Sequence, residues 1–117
     1  MPYQRILETL LAGVAGARAA LLLDSQGELV VGAGDLGERE RLIGAYSGIT
    51  LGMAQRSAER NDVGGIDHVV WRHEEGSVVL CPLKDGYYVA LFLGPDALVA
   101  AGVRRVREAR TPLDEEI

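Results

Sequence analysis

The residues of this chain best suited to chemistry are few and scattered. Two histidines, His68 and His73, one cysteine, Cys81, and a glycine-rich segment, GAGDLG at 32–37, are the candidates. The histidines stand five positions apart in IDHVVWRH, a strand-like run, so they point to opposite faces and cannot share a metal. Asp67 and His73 share a face, but six residues at about 3.3 Å each separate them by about 20 Å, too far for an acid–base pair. Cys81 lies in the apolar run VVLCPL, where a buried thiol behaves as a small hydrophobe. Spacing offers no Ser-His-Asp or Cys-His arrangement, so the expectation is a protein with no active site of its own, no metal and no cofactor.

GAGDLG matches G-x-G-x-x-G after a strand and before a helix, the context of a dinucleotide fingerprint. The strand before it belongs to a hairpin instead of opening a βαβ unit. Asp35, Glu38 and Glu40 would also crowd negative charge where a pyrophosphate should sit. The segment is therefore read as a strand-to-helix connection in which Asp35 and Glu38 form a capping box. A nucleotide or small-molecule sensor using GAGDLG is kept as the alternative.

The elements that would position these residues follow from periodicity. Tyr3, Ile6, Leu7, Leu10, Leu11 and Val14 recur at helical spacing, predicting a first helix that ends at Gly13 or Gly16. ARAALLLD and ELVV predict a hairpin closed by DSQG, with Asp24 bonding the turn backbone and Gly27 at positive φ. A second helix runs from the capping box to about Arg60. IDHVVWRH, SVVLCPL and YYVALFL, separated by EEG and KDG, predict a three-stranded meander. A last helix starts near Gly94-Pro95-Asp96, with Leu98, Val99, Gly102, Val103 and Val106 on its inner side.

The order is αββαβββα, an α+β fold with one antiparallel sheet. AALLL and YYVALFL are apolar on both faces and need cover above and below, so they take the interior and the second and third strands take the edges. The sheet order is then 2-1-5-4-3, with Pro82 requiring a bulge or a strand end. Residues 1–110 form one domain, and 111–117 are expected as a mobile acidic tail. A net charge of −5 argues against nucleic acid or an anionic membrane as a partner. With a single cysteine and no signal or spanning segment visible, the cytoplasm is the expected location.

Two features point to protein partners. Along the second helix, Leu42, Tyr46, Ile49 and Met53 cluster on a face suited to covering the sheet, while Gly44, Gly48 and Gly52 centre elsewhere. Those glycines, with Arg41, Leu51 and Gln55 beside them, are expected as a shallow trough for a second backbone. The open edge of the third strand, with Ile66, His68, Val70, Trp71 and His73, is expected to pair with a twin.

The hairpin ALLLDSQGELVV, the meander VVLCPLKDGYYVALFLG and the closing helix DALVAAGVRRVREA together resemble the roadblock/dynein light-chain family over nearly the whole chain. The resemblance implies a profilin-like sheet, with the long second helix on one face and the first and last helices on the other. It also implies homodimers joined through second helices and third strands, and a non-catalytic regulator or scaffold. Its partner would be a Ras-like small GTPase, whose GTP hydrolysis or location it would alter. No arginine finger is carried over, and the three glycines depart from the family pattern.

Overall fold

The computed structural model describes residues 2–117. The elements are α1 (Pro2–Ala12), β1 (Ala17–Leu23), β2 (Leu29–Gly34), α2 (Glu38–Arg60), β3 (Val69–His73), β4 (Gly76–Pro82), β5 (Tyr88–Leu93) and α3 (Val99–Glu116). The five strands form one antiparallel sheet in the order β2-β1-β5-β4-β3, as the two doubly apolar strands required. Alternation in β1 and β5 sends Leu22, Val89 and Leu91 to one face and Leu21, Leu23, Tyr88 and Phe92 to the other. The first face is covered by Leu7 and Leu10 of α1 with Val106 and Leu113 of α3, and the second by α2 through Leu51.

Turn chemistry sets the hairpins as expected. Asp24 Oδ1 accepts from the backbone N–H groups of Gln26 at 2.9 Å and Glu28 at 3.0 Å, and Gly27 takes φ +79°. Pro82 is the last residue of β4 and pairs only with Tyr88 of β5, while β3 pairing reaches no further than Leu80. Its missing donor therefore costs no rung on the β3 side.

Four expectations are corrected. Asp35 and Glu38 form no capping box: Gly37 is the α2 N-cap and no side chain caps it. Gly34 at φ +87° carries the chain so that Asp35 N donates to Arg18 O at 2.9 Å, which makes Asp35 an extension of the β1–β2 ladder. Leu98, expected on the inner side of the last helix, is its N-cap and 74% exposed, because the turn closed by Ala97 N and Gly94 O delays the helix. The strand expected from Ile66 starts only at Val69, and the Asp67 carbonyl oxygen before it accepts from Arg110 Nη2 of α3 instead of joining the ladder.

Residues 111–116, expected as a mobile tail, instead continue α3. Leu113 is fully buried in the α1–α3 layer, and Asp114 accepts from Lys84 N at 2.8 Å. One apolar anchor two turns beyond Val106 is enough to keep this acidic end helical on the sheet.

Candidate partner interface

On α2 the inward residues are three small ones and Leu51, which was expected at a partner surface and instead lies in the core. Gly44, Ser47, Leu51 and Ala58 are buried. Tyr88 Oη, rising from β5, donates to the Gly44 carbonyl oxygen at 2.8 Å, and burial pushes the Tyr88 phenol up, keeping it a neutral donor. A Cβ on Gly48 would fall 2.6 Å from that hydroxyl, and one on Gly44 would fall 3.3 Å from methyl groups of Leu21 and Leu23. Gly52 is packed by its own helix, with the Arg56 guanidinium 3.3 Å from the position of a Cβ. Gly44 and Gly48 thus seat α2 on its own sheet, which corrects the expectation that these two serve the approach of another chain.

Their seating turns the large residues outward. Leu42, Tyr46, Ile49 and Met53, expected in the core, are 49%, 67%, 59% and 61% exposed. Positions 42, 46, 49 and 53 lie on one helical stripe, so the exposure is contiguous and not a scatter of single side chains. Periodicity could have found this stripe as an apolar face but not said which way it points. The clue was the second periodic face, Gly44, Ser47, Leu51 and Ala58, whose small residues suit a sheet already filled with Leu21, Leu23 and Tyr88.

The remaining expected residues divide. Arg41 is exposed beside the stripe. Gly48, Gly52 and Gln55 line a groove of about 330 Å³ between α2 and the hairpin tips, and Gly52 and Gln55 continue to Ile66 in the adjoining depression. Ile66 and Trp71 pack half-buried against the α2-side core, Val70 against the opposite core, and His73 is exposed with its ring 5.4 Å from that of Trp71. Among the described residues, the outer edge of β3 carries no neighbouring strand. Arg39, in the first turn of α2, forms an ion pair with Glu75 of the β3–β4 turn, which joins the helix to the end of that edge. This pairing holds the Glu75 carboxyl below its usual range.

His68 is drawn into a cluster that spacing did not reveal. Its Nδ1 lies 2.7 Å from Asp67 Oδ2, while Arg110 Nη1 and Arg107 Nε reach the same carboxylate at 3.1 and 3.2 Å. The bond to His68 and then Arg110 hold the Asp67 carboxyl below its ordinary range. Arg110 also contacts Cys81 Sγ at 3.1 Å, yet burial pushes the Cys81 thiol up. The cluster clamps the entry to β3 onto α3.

In GAGDLG Gly34 is fixed by backbone packing and positive φ, and Gly32 lies close under Leu36. A Cβ on Gly34 would lie 2.2 Å from Arg18 O, and one on Gly32 would lie 2.7 Å from Leu36 Cδ2. The cavity beside Asp35 and Glu40 measures about 80 Å³, well below the roughly 300 Å³ of a ligand site.

The sheet is antiparallel throughout, with one long helix on one face and two on the other, so GAGDLG opens no βαβ unit. No protein-family model matches the chain, and no curated protein matches it. Among solved structures, a roadblock/LC7 domain from Streptomyces avermitilis superposes with a TM-score of 0.86 over 97% of this chain and 95% of that one, at 16% identity. The fold is the roadblock fold. The gliding protein MglB of Thermus thermophilus shares it with a TM-score of 0.79 at 21% identity, covering 99% of this chain and 93% of that one. Its profilin-like character is seen in LokiProfilin2, solved with rabbit actin, at a TM-score of 0.67 and 15% identity over 98% and 97% of the two chains. In this roadblock fold the stripe Leu42–Met53 is an exposed apolar surface, and β3 is one of the two edge strands of the sheet.

Proposed function

We propose that the protein is a homodimeric, non-catalytic regulator or scaffold of a Ras-like small GTPase, acting in the cytoplasm without a cofactor. The observation that carries the reading is the outward stripe of Leu42, Tyr46, Ile49 and Met53. A contiguous apolar face of this kind on a soluble domain marks a protein interface. A twin stripe would cover it, and β3 edges pairing beside it would satisfy backbone groups otherwise left to water. The GTPase as partner rests on the roadblock resemblance of the hairpin, meander and closing helix, together with the shared fold of MglB. Arg41, exposed on the flank of α2, is a polar group suited to an interface rim.

The test is sedimentation of the wild type and of Ile49→Asp, followed by titration of each against a GTP-loaded Ras-like GTPase from the same organism. A dimeric wild type that binds the GTPase, with a monomeric Ile49→Asp variant of unchanged circular dichroism, is expected. A wild type that stays monomeric at high micromolar concentration overturns the dimer. A dimer that binds none of the organism's small GTPases overturns the regulatory role.

A further inference from the structure

The outer surface of α3, on the sheet face opposite α2, is self-complementary in charge. Ala100, Arg104, Arg107, Thr111 and Glu115 are all exposed and follow one another at helical spacing. Arg107 is committed to Asp67, Arg105 to Glu108 and Arg110 to Asp67. Arg104 and Glu115 take part in no ion pair among the described residues. They stand eleven residues apart, which at about 100° per residue is within about 20° of three full turns and about 16 Å along the axis. One unpaired cation and one unpaired anion therefore sit on the same stripe, near opposite ends of the helix. A shallow depression is lined by Ala100, Val103 and Arg104 together with Arg107, Arg110 and Thr111.

We propose that this face docks a second copy of the same chain, α3 against α3 in antiparallel orientation. A two-fold axis near residues 109 and 110 places Arg104 of each copy against Glu115 of the other, so both free charges are paired by one symmetry operation. A parallel arrangement would set arginine against arginine. The isologous contact needs nothing from α2, and in a dimer joined through α2 it lies on the outer faces, where it links dimers into a larger assembly. Exposed pairs of this kind are individually weak and salt-sensitive, so the contact is a low-affinity, concentration-dependent one.

The experiment is sedimentation velocity at low and high salt on the full chain, in the wild type and in the Ile49→Asp background that removes the α2 stripe. Self-association that persists in Ile49→Asp at low salt and weakens with salt is expected. Arg104→Glu alone and Glu115→Arg alone should each weaken it by about tenfold or more, and the double exchange should restore it. An equimolar mixture of the two single variants should associate where neither does alone. Unchanged association in the single variants, failure of the double exchange to restore it, or no α3-dependent association at low salt overturns the proposal. If charge-dependent binding appears only on adding a poly-glutamate peptide, the face takes an acidic partner and not a second copy. Loss of the α2 dimer with the α3 contact intact would count against the proposed function alone.

Discussion

Tyr88 Oη and the Gly44 carbonyl oxygen are 2.8 Å apart, and the bond crosses from the centre of the sheet to the buried ridge of α2. It sets the height of the helix. With Gly48 one turn further on, the same hydroxyl occupies the space where a methyl group would sit. Gly48→Ala should therefore destabilise the protein by about 1 to 3 kcal/mol through overpacking, although alanine is the better helix former. In a Tyr88→Phe background the penalty should shrink. Thermal melts of the double-mutant cycle check this, and an additive pair would show that the two positions do not meet.

The apolar stripe gives a prediction of opposite sign. Ile49 is 59% exposed, so Ile49→Asp should leave the isolated fold within about 0.5 kcal/mol of wild type while abolishing association through α2. Denaturation at low concentration and sedimentation at high concentration separate the two effects.

At the β3 edge, the two-residue turn closed by His73 and Gly76 makes that pair a hydrogen-bonded rung. Alternation then puts the backbone groups of Val70 and Arg72 on the outer side. Val70→Pro should keep circular dichroism near that of wild type while weakening dimerisation, and a fully unfolded variant would show the rung to face β4.

The Asp67 cluster predicts the acid limb of stability. The folded-state pKa of Asp67 is depressed, so its contribution is fully present at and above the ordinary carboxylate range and is lost as pH falls through the lower folded value. Asp67→Asn should flatten that limb in melts taken as a function of pH, and an unaltered slope would place the acid sensitivity elsewhere.

At the other end of α3, Leu113 is wholly buried, so Leu113→Ala should cost about 2 to 5 kcal/mol. A melting temperature unchanged by this substitution, or by ending the chain at Arg110, would restore the mobile tail that composition suggested.

Local and periodic signals were enough to set the element order, the strand order and the two edges. DSQG can close a hairpin by itself, and strands apolar on both faces can sit only inside a covered sheet. The run DEEI reads as a solvated tail because one leucine is a weak signal; only the α1–α3 groove, which takes in Leu113, makes it helix. The Asp67 cluster joins residues 67, 81, 107 and 110, whose meeting depends on how α3 crosses the sheet and has no counterpart in spacing.

For the candidate interface the sequence by itself determined that α2 has two periodic faces, one of large apolar residues and one of small. It could not say which is buried, since hydrophobicity alone favours putting the larger face inside. Tertiary structure decided it, for a steric reason. Leu21, Leu23 and Tyr88 already fill the layer under α2, so only the glycine and serine face can approach closely enough to accept the Tyr88 hydrogen bond, and the larger face is left exposed.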